Sequence, residues 1–217
     1  MTYLPLWSLL PIAVLAAIPA RGEPFSIRLE SATSEQTCGA ALVASGGIVT
    51  AGHCLASNVR QGRMIREPGG DGTVPIRQSA RHPVYDTAPP SLSRFAYDLT
   101  LAGLGAASEP ISGVAVLPIG APPVSGEVLV VETWLRTDDA PSQRDCPVLD
   151  AFPLVVLDCP VVSGHSGAPV VRITASGAEL VAIVVASQNG GRENRARALA
   201  ASVAPRIGAL LETFGAL

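Results

Sequence analysis

Short apolar runs, each ended by turn-forming residues, are the feature of this sequence that most limits its fold. The runs are rich in Val and Ile, and their length suits strands of a β-barrel or a β-sandwich. The chain's 21 glycines and 19 prolines supply the turns between them. We therefore predict an all-β fold with strands at Ala40–Val43, Ile48–Ala51, Leu99–Leu104, Val128–Val131, Leu154–Leu157, Pro169–Ile173 and Leu180–Ala186.

Two segments depart from this pattern. Glu109–Gly126 is rich in Pro, Gly and Ser and has no periodicity, so we expect a linker at 111–126 between two halves of the chain. Near the C-terminus, Val203–Phe214 places Ile207, Leu210 and other apolar residues at helical spacing, which predicts one C-terminal helix.

The N-terminal segment resembles a targeting signal. Leu4–Ala20 is almost entirely apolar and uncharged, but three prolines interrupt it and its length is marginal for crossing a bilayer. A signal peptide over residues 1–22, cleaved near Ala20 or Gly22, fits better than an uncleaved anchor, although a basic start is missing. We expect a secreted or periplasmic protein with no membrane contact after signal removal.

Composition excludes some classes of function. Apolar residues make up 48% of the 217 residues and charged residues 15%, which excludes a long disordered chain. The net charge of −3 gives no sign of a nucleic-acid partner held by phosphate contacts.

The four cysteines, Cys38, Cys54, Cys146 and Cys159, predict disulfides, because exported proteins meet an oxidising environment. Three connectivities are open, and the two short loops Cys38–Cys54 and Cys146–Cys159 give the simplest one. A zinc site is disfavoured, because the chain has no CxxC or HxxxH spacing and only three histidines. We predict no metal.

Three short segments carry residues suited to acyl transfer. His53 ends an apolar run, Asp98 begins another, and Ser166 lies between glycines that allow a tight turn. Serine, histidine and aspartate can serve as nucleophile, base and orienting group. Each also has a structural interpretation: Asp98 could cap its own turn, and Ser166 could belong to any glycine-rich turn.

The run Gly164–Ala168 also resembles the GxSxG turn of α/β-hydrolases. That fold needs its triad in the order serine, acid, histidine, and no histidine follows position 165. This alternative is therefore excluded.

Short motifs surround all three of these candidate residues: TAGHC at 50–54, HPVY at 82–85 followed by DLTL at 98–101, and GHSGAP at 164–169. With them, residues 35–190 resemble the trypsin-like (chymotrypsin-fold) serine peptidases, in particular a bacterial-type secreted member. The first motif is similar to the family's TAAHC, the second pair is similar to its HPxY and D-[IL]-A-L stretches, and the last matches GDSGGP with two changes. The order of histidine, aspartate and serine is the family's own.

The resemblance implies two six-stranded antiparallel β-barrels, at 23–110 and 127–217, the second carrying the short C-terminal helix. It implies a serine endopeptidase that acts on polypeptides without a cofactor. His53 is then the general base, Asp98 orients it, Ser166 attacks the carbonyl, and the backbone N–H groups of Gly164 and Ser166 form the oxyanion hole. A catalytically silent protein that binds a partner through the same cleft is the alternative.

Departures from the family pattern limit what is carried over. Pro160 replaces the aspartate that trypsins carry six residues before the nucleophile, so cleavage after Arg or Lys is not supported. His165 replaces the aspartate that pairs with a new N-terminus during activation. We therefore expect an oxyanion loop held by its own packing, without a propeptide switch.

Overall fold

The computed structural model describes residues 23–31, 37–43, 47–55, 63–66, 73–104, 111, 113–188 and 196–215. The predicted signal peptide, residues 1–22, lies outside the described residues. Within the described part of the chain, no helix has the length and apolar character needed to cross a membrane.

The first half of the chain forms a closed antiparallel β-barrel. Its strands are β1 (Ser26–Ser31), β2 (Thr37–Val43), β3 (Gly47–Ala51), β4 (Arg63–Arg66), β5 (Thr73–Arg81) and β6 (Leu99–Leu104). They are hydrogen-bonded in the order β1-β2-β3-β6-β5-β4, and the pairing of β4 with β1 closes the barrel.

The second half repeats this architecture. Its strands are β7 (Val128–Thr133), β8 (Ser142–Asp150), β9 (Val155–Leu157), β10 (Pro169–Thr174), β11 (Gly177–Gln188) and β12 (Arg197–Ser202). Their order is β10-β11-β12-β9-β8-β7, and the sheet closes between β10 and β7 through the pairs Val170–Val131 and Val171–Val130. The predicted all-β fold of two six-stranded antiparallel barrels is confirmed.

The barrels share a hydrophobic core. One cluster of buried residues combines Ala41 and Leu99 of the first barrel with Leu180 and Ile183 of the second. A second cluster lies within the second barrel and includes Leu129. Because apolar burial stabilises both barrels together, the residues between them are held in fixed relative positions.

The chain segment between the barrels pairs with both. Leu117 N donates to Leu42 O at 2.9 Å, and Gly120 N donates to Leu180 O at 2.9 Å. The predicted linker at 111–126 thus includes residues that form backbone bridges to each barrel.

Buried polar contacts add to this junction. The side chain of Glu132, on β7, is buried and its Oε1 accepts hydrogen bonds from Phe25 N and Ser26 N, both at 2.6 Å. Arg28, on β1, donates to Leu135 O at 2.9 Å. These bonds attach the start of the first barrel to the second, and the buried carboxylate keeps its hydrogen-bond partners.

Two α-helices are present in the described residues, α1 (Pro83–Thr87) and α2 (Ile207–Gly215). The predicted C-terminal helix is confirmed as α2, but it begins at Ile207 rather than at Val203. The intervening residues form a turn in which Arg206 N and Ile207 N both donate to Val203 O.

Candidate active site

His53 and Asp98 meet because their strands are neighbours. His53 lies in a 3-10 helix, Gly52–Leu55, directly after β3, and Asp98 directly precedes β6. The register of β3 and β6 places Ala51 opposite Leu99, so the residues just beyond each of them lie at the same end of the pair.

Two hydrogen bonds join the His53 backbone and ring to one carboxylate. His53 N donates to Asp98 Oδ1 at 2.8 Å, and His53 Nδ1 lies 2.6 Å from Asp98 Oδ2. The Asp98 side chain is fully buried, whereas that of His53 is 38% exposed. A carboxylate that accepts the Nδ1 proton leaves Nε2 as the free basic nitrogen of a neutral imidazole.

Ser166 lies in a loop held by both barrels. Gly39 N, on β2, donates to Ser166 O at 2.7 Å, and Gly167 N donates to Val184 O, on β11, at 2.7 Å. Gly167 has a φ of +84°, and a Cβ at this position would collide with Gly39 O. Only glycine permits this close approach of two backbones.

A disulfide links the His53 helix to β2, the strand whose Gly39 is hydrogen-bonded to Ser166. Cys38, the residue before Gly39, is bonded to Cys54, the residue after His53. The second disulfide joins Cys146 of β8 to Cys159, seven residues before Ser166 in sequence. The structure contains both disulfides in the predicted short-loop pairing.

The structure therefore places the three predicted residues in two groups that adjoin. His53 and Asp98 are in direct contact. Ser166 is connected to them indirectly, because it is hydrogen-bonded to Gly39, whose neighbour Cys38 is disulfide-bonded to Cys54, the residue after His53. The hydrogen bonds of the described residues do not include one between Ser166 Oγ and His53 Nε2. Such bonds are often long in unliganded sites and shorten when substrate binds.

The backbone around Ser166 offers two unused donors. Among the hydrogen bonds of the described residues, neither Gly164 N nor Ser166 N is a donor, whereas His165 N and Gly167 N donate to Val162 O and Val184 O. Gly164 has a φ of +96°, a conformation that favours glycine. Two free N–H groups, one of Gly164 and one of Ser166 itself, are suited to binding a developing oxyanion.

A metal at this position is not supported by the donor atoms. Cys38, Cys54 and His53 offer atoms within 4.8 Å of one another. Both sulfur atoms are consumed in a disulfide, and His53 Nδ1 is bound to Asp98. The group therefore lacks the thiolates that a zinc site would need.

His82, Tyr97 and Arg206 form a cluster that the sequence did not indicate as a unit, and Tyr97 directly precedes Asp98 in the chain. His82 is buried, its Nδ1 accepts a hydrogen bond from Val84 N at 3.3 Å, and its ring centroid lies 5.1 Å from that of Tyr97. The guanidinium of Arg206 lies 5.1 Å from the same Tyr97 ring. Burial, and then the charge of Arg206, lower the pKa of His82, which favours its neutral form as an acceptor.

Comparison with known proteins agrees with the fold. The fold is the all-β, chymotrypsin-like one, and the family model described as Trypsin matches residues 15–142, more than half of the chain. This chain belongs to the trypsin family. The match includes His53 and Asp98 and ends before Ser166, so the role of Ser166 depends on its motif and its position.

One curated relative is Trypsin 5G1 of Aedes aegypti, which is 30% identical over 130 residues. The match spans 56% of this chain and 47% of the relative, so the chain aligns with about half the length of that protein. An insect relative gives no support to the expected bacterial-type subdivision.

Proposed function

We propose that this protein is a secreted serine endopeptidase that hydrolyses peptide bonds through a His53-Asp98-Ser166 triad. The observation that carries the proposal is the pairing of a buried Asp98 with a partly exposed His53 at 2.6 Å. A structural histidine would not need its ring fixed by a fully buried carboxylate while its side chain stays partly exposed.

In the acylation step, Ser166 Oγ attacks the carbonyl carbon of the peptide bond while His53 Nε2 takes the hydroxyl proton. Asp98 stabilises the imidazolium that forms. The N–H groups of Gly164 and Ser166 donate to the oxyanion of the tetrahedral intermediate. His53 then gives its proton to the leaving amine, the C–N bond breaks, and an ester on Ser166 remains.

Deacylation repeats these roles with water as the nucleophile. His53 removes a proton from the water as its oxygen attacks the ester carbonyl, and the same two N–H groups bind the oxyanion. The ester bond then breaks, and Ser166 Oγ regains its proton from His53. The chemistry balances without a metal or a cofactor.

The proposed substrate is a polypeptide. We do not propose a preference for cleavage after Arg or Lys. Pro160 occupies the sequence position of the acid in trypsins and is exposed. Asp158, the nearest acid, donates its backbone N–H to Pro147 O at 2.9 Å within the second barrel.

Export to the cell exterior or the periplasm is part of the proposal. Two disulfides support it, because such bonds persist in oxidising compartments. We propose that residues 1–22 are the signal that directs export and that residues 23–110 and 127–217 are the two halves of the mature enzyme.

Hydrolysis of an unstructured protein such as casein, by the wild type and two serine variants, tests the proposal. Ser163 is exposed, lies in the same loop as Ser166 and provides a matched control. We expect Ser166→Ala to lose activity by about 10⁶-fold and Ser163→Ala to keep it. A folded wild type without hydrolytic activity would favour the silent binding protein instead.

A further inference from the structure

His165, the residue between the two oxyanion donors, is engaged twice with one neighbour. His165 N donates to Val162 O at 3.1 Å, and Val162 N donates to His165 Nδ1 at 3.3 Å. These two bonds close a four-residue turn that contains Gly164. The side-chain bond requires an Nδ1 without a proton.

The centre of this turn is confined from two sides. A Cβ on Gly164 would lie 2.8 Å from Leu135 Cδ2 of the second barrel and 3.2 Å from Thr37 Oγ1 of the first. The turn therefore has little room to shift as a whole. The direction of the Gly164 N–H depends on the peptide planes between Val162 and His165, whose ends the two hydrogen bonds fix.

The electrostatic surroundings of His165 come from two other elements. Burial is the main cause that lowers the pKa of its ring; the carboxylate of Asp138, after β7, raises it, and Arg144, on β8, lowers it. Together these effects lower the pKa of the His165 ring, which favours the neutral ring at neutral pH. In that form Nε2 carries the proton and Nδ1 can accept.

We propose that His165 is a positioning residue for the oxyanion hole, whose neutral ring accepts the Val162 N–H and so holds the Gly164 N–H toward the substrate. Protonation turns Nδ1 into a donor and breaks this bond, so that only the His165 N–H to Val162 O bond still holds the turn and the Gly164 N–H is fixed less precisely. This inference rests on the proposed function. It means that two histidines, His53 and His165, must each be neutral for full activity.

Two substitutions separate acceptance of the hydrogen bond from titration. In His165→Asn, Oδ1 occupies the place of Nδ1 relative to the backbone, and it accepts a hydrogen bond at every pH. In His165→Leu, a side chain of similar size offers no acceptor. At pH 8 we expect Asn to keep kcat within about threefold and Leu to lower it about 10- to 100-fold with KM nearly unchanged, because the interaction acts in the transition state.

The pH dependence gives a readout that simple packing would not move. The wild type and His165→Asn both need a neutral His53, so this shared requirement cancels in the ratio of their kcat/KM values. We expect the ratio of His165→Asn to wild type to rise at least about threefold between pH 8 and pH 4, because only the wild type loses the Val162 bond. A constant ratio would overturn the proposed titration.

Nuclear magnetic resonance tests the contact without requiring hydrolysis. The Val162 amide resonance of the wild type should shift in step with the His165 ring as pH falls, and it should stay fixed in His165→Asn. An amide that ignores the ring refutes the positioning role. A wild type without hydrolysis refutes the proposed function, whereas an active wild type with an equally active His165→Leu refutes only this inference.

Discussion

Asp98→Asn changes one atom of a fully buried side chain and tests how the triad is held. Asp98 accepts from His53 N through Oδ1 and from His53 Nδ1 through Oδ2. An asparagine keeps an oxygen for the backbone N–H but presents an NH₂ group to the ring. That group donates, so His53 Nδ1 must give up its proton and Nε2 must carry it.

The expected loss is therefore in catalysis rather than in folding. A histidine in this tautomer has no free Nε2 to accept the Ser166 proton, and the wrong tautomer costs a serine-histidine-aspartate triad about 10⁴ in kcat. This corresponds to about 5.5 kcal/mol of transition-state stabilisation. Stability should fall little, because both hydrogen bonds keep a donor and an acceptor.

The assay compares kcat for a small ester with the midpoint of thermal unfolding. Asp86→Asn serves as the control, since it makes the same chemical change at a half-exposed carboxylate paired with Arg81 at 2.9 Å. We expect the control to keep its activity and its unfolding temperature. If folded Asp98→Asn keeps more than about a tenth of wild-type kcat, the assigned role of Asp98 is wrong.

Two further predictions concern stability, and urea unfolding measures both. In Gly167→Ala the new Cβ meets Gly39 O at a φ of +84°, and we expect the free energy of unfolding to fall by at least about 1–3 kcal/mol. The control, Gly208→Ala on α2, has nothing within 4 Å of its Cβ and should raise that free energy by up to about 1 kcal/mol. Equal effects of the two substitutions would contradict the assigned close approach of Gly167 to Gly39. Burial, and then the charge of Arg206, lower the pKa of His82 from 6.5, so the unfolded chain binds this proton more tightly than the folded chain does. The free energy of unfolding should therefore rise with pH between the lowered pKa and 6.5, by at most about 1.4 kcal/mol per pH unit. His82→Asn should flatten that slope, and an unchanged slope would contradict the assignment.

Much of the fold could be predicted from the sequence, because each apolar run predicted as a strand contributes buried residues to a core. Other strands gave weaker signals. In β8 only Cys146 and Val148 are buried, so the strand does not form an apolar run. In β5, Pro75 interrupts the run, and proline is unfavourable within a sheet. β1 alternates Ile27 and Leu29 with polar residues, a period of two that the run-based search did not use.

The site was predicted from motifs, but its supporting contacts were not. Glu132 receives hydrogen bonds from residues more than a hundred positions away, and nothing in its local sequence indicates burial. The same holds for Leu135 against Gly164, which depends on how the two barrels pack. Such contacts are set by tertiary structure, because strand pairing brings together residues that are distant in sequence.

The central claim is that Ser166 is an activated nucleophile, and covalent mapping with a fluorophosphonate probe tests it most directly. Such a probe phosphonylates a serine hydroxyl that an adjacent base activates. Mass spectrometry of the labelled full chain should find one modified residue, Ser166, and labelling should disappear in Ser166→Ala but persist in Ser163→Ala. Absence of labelling in the folded wild type, or labelling at Ser163 in its place, would contradict the account.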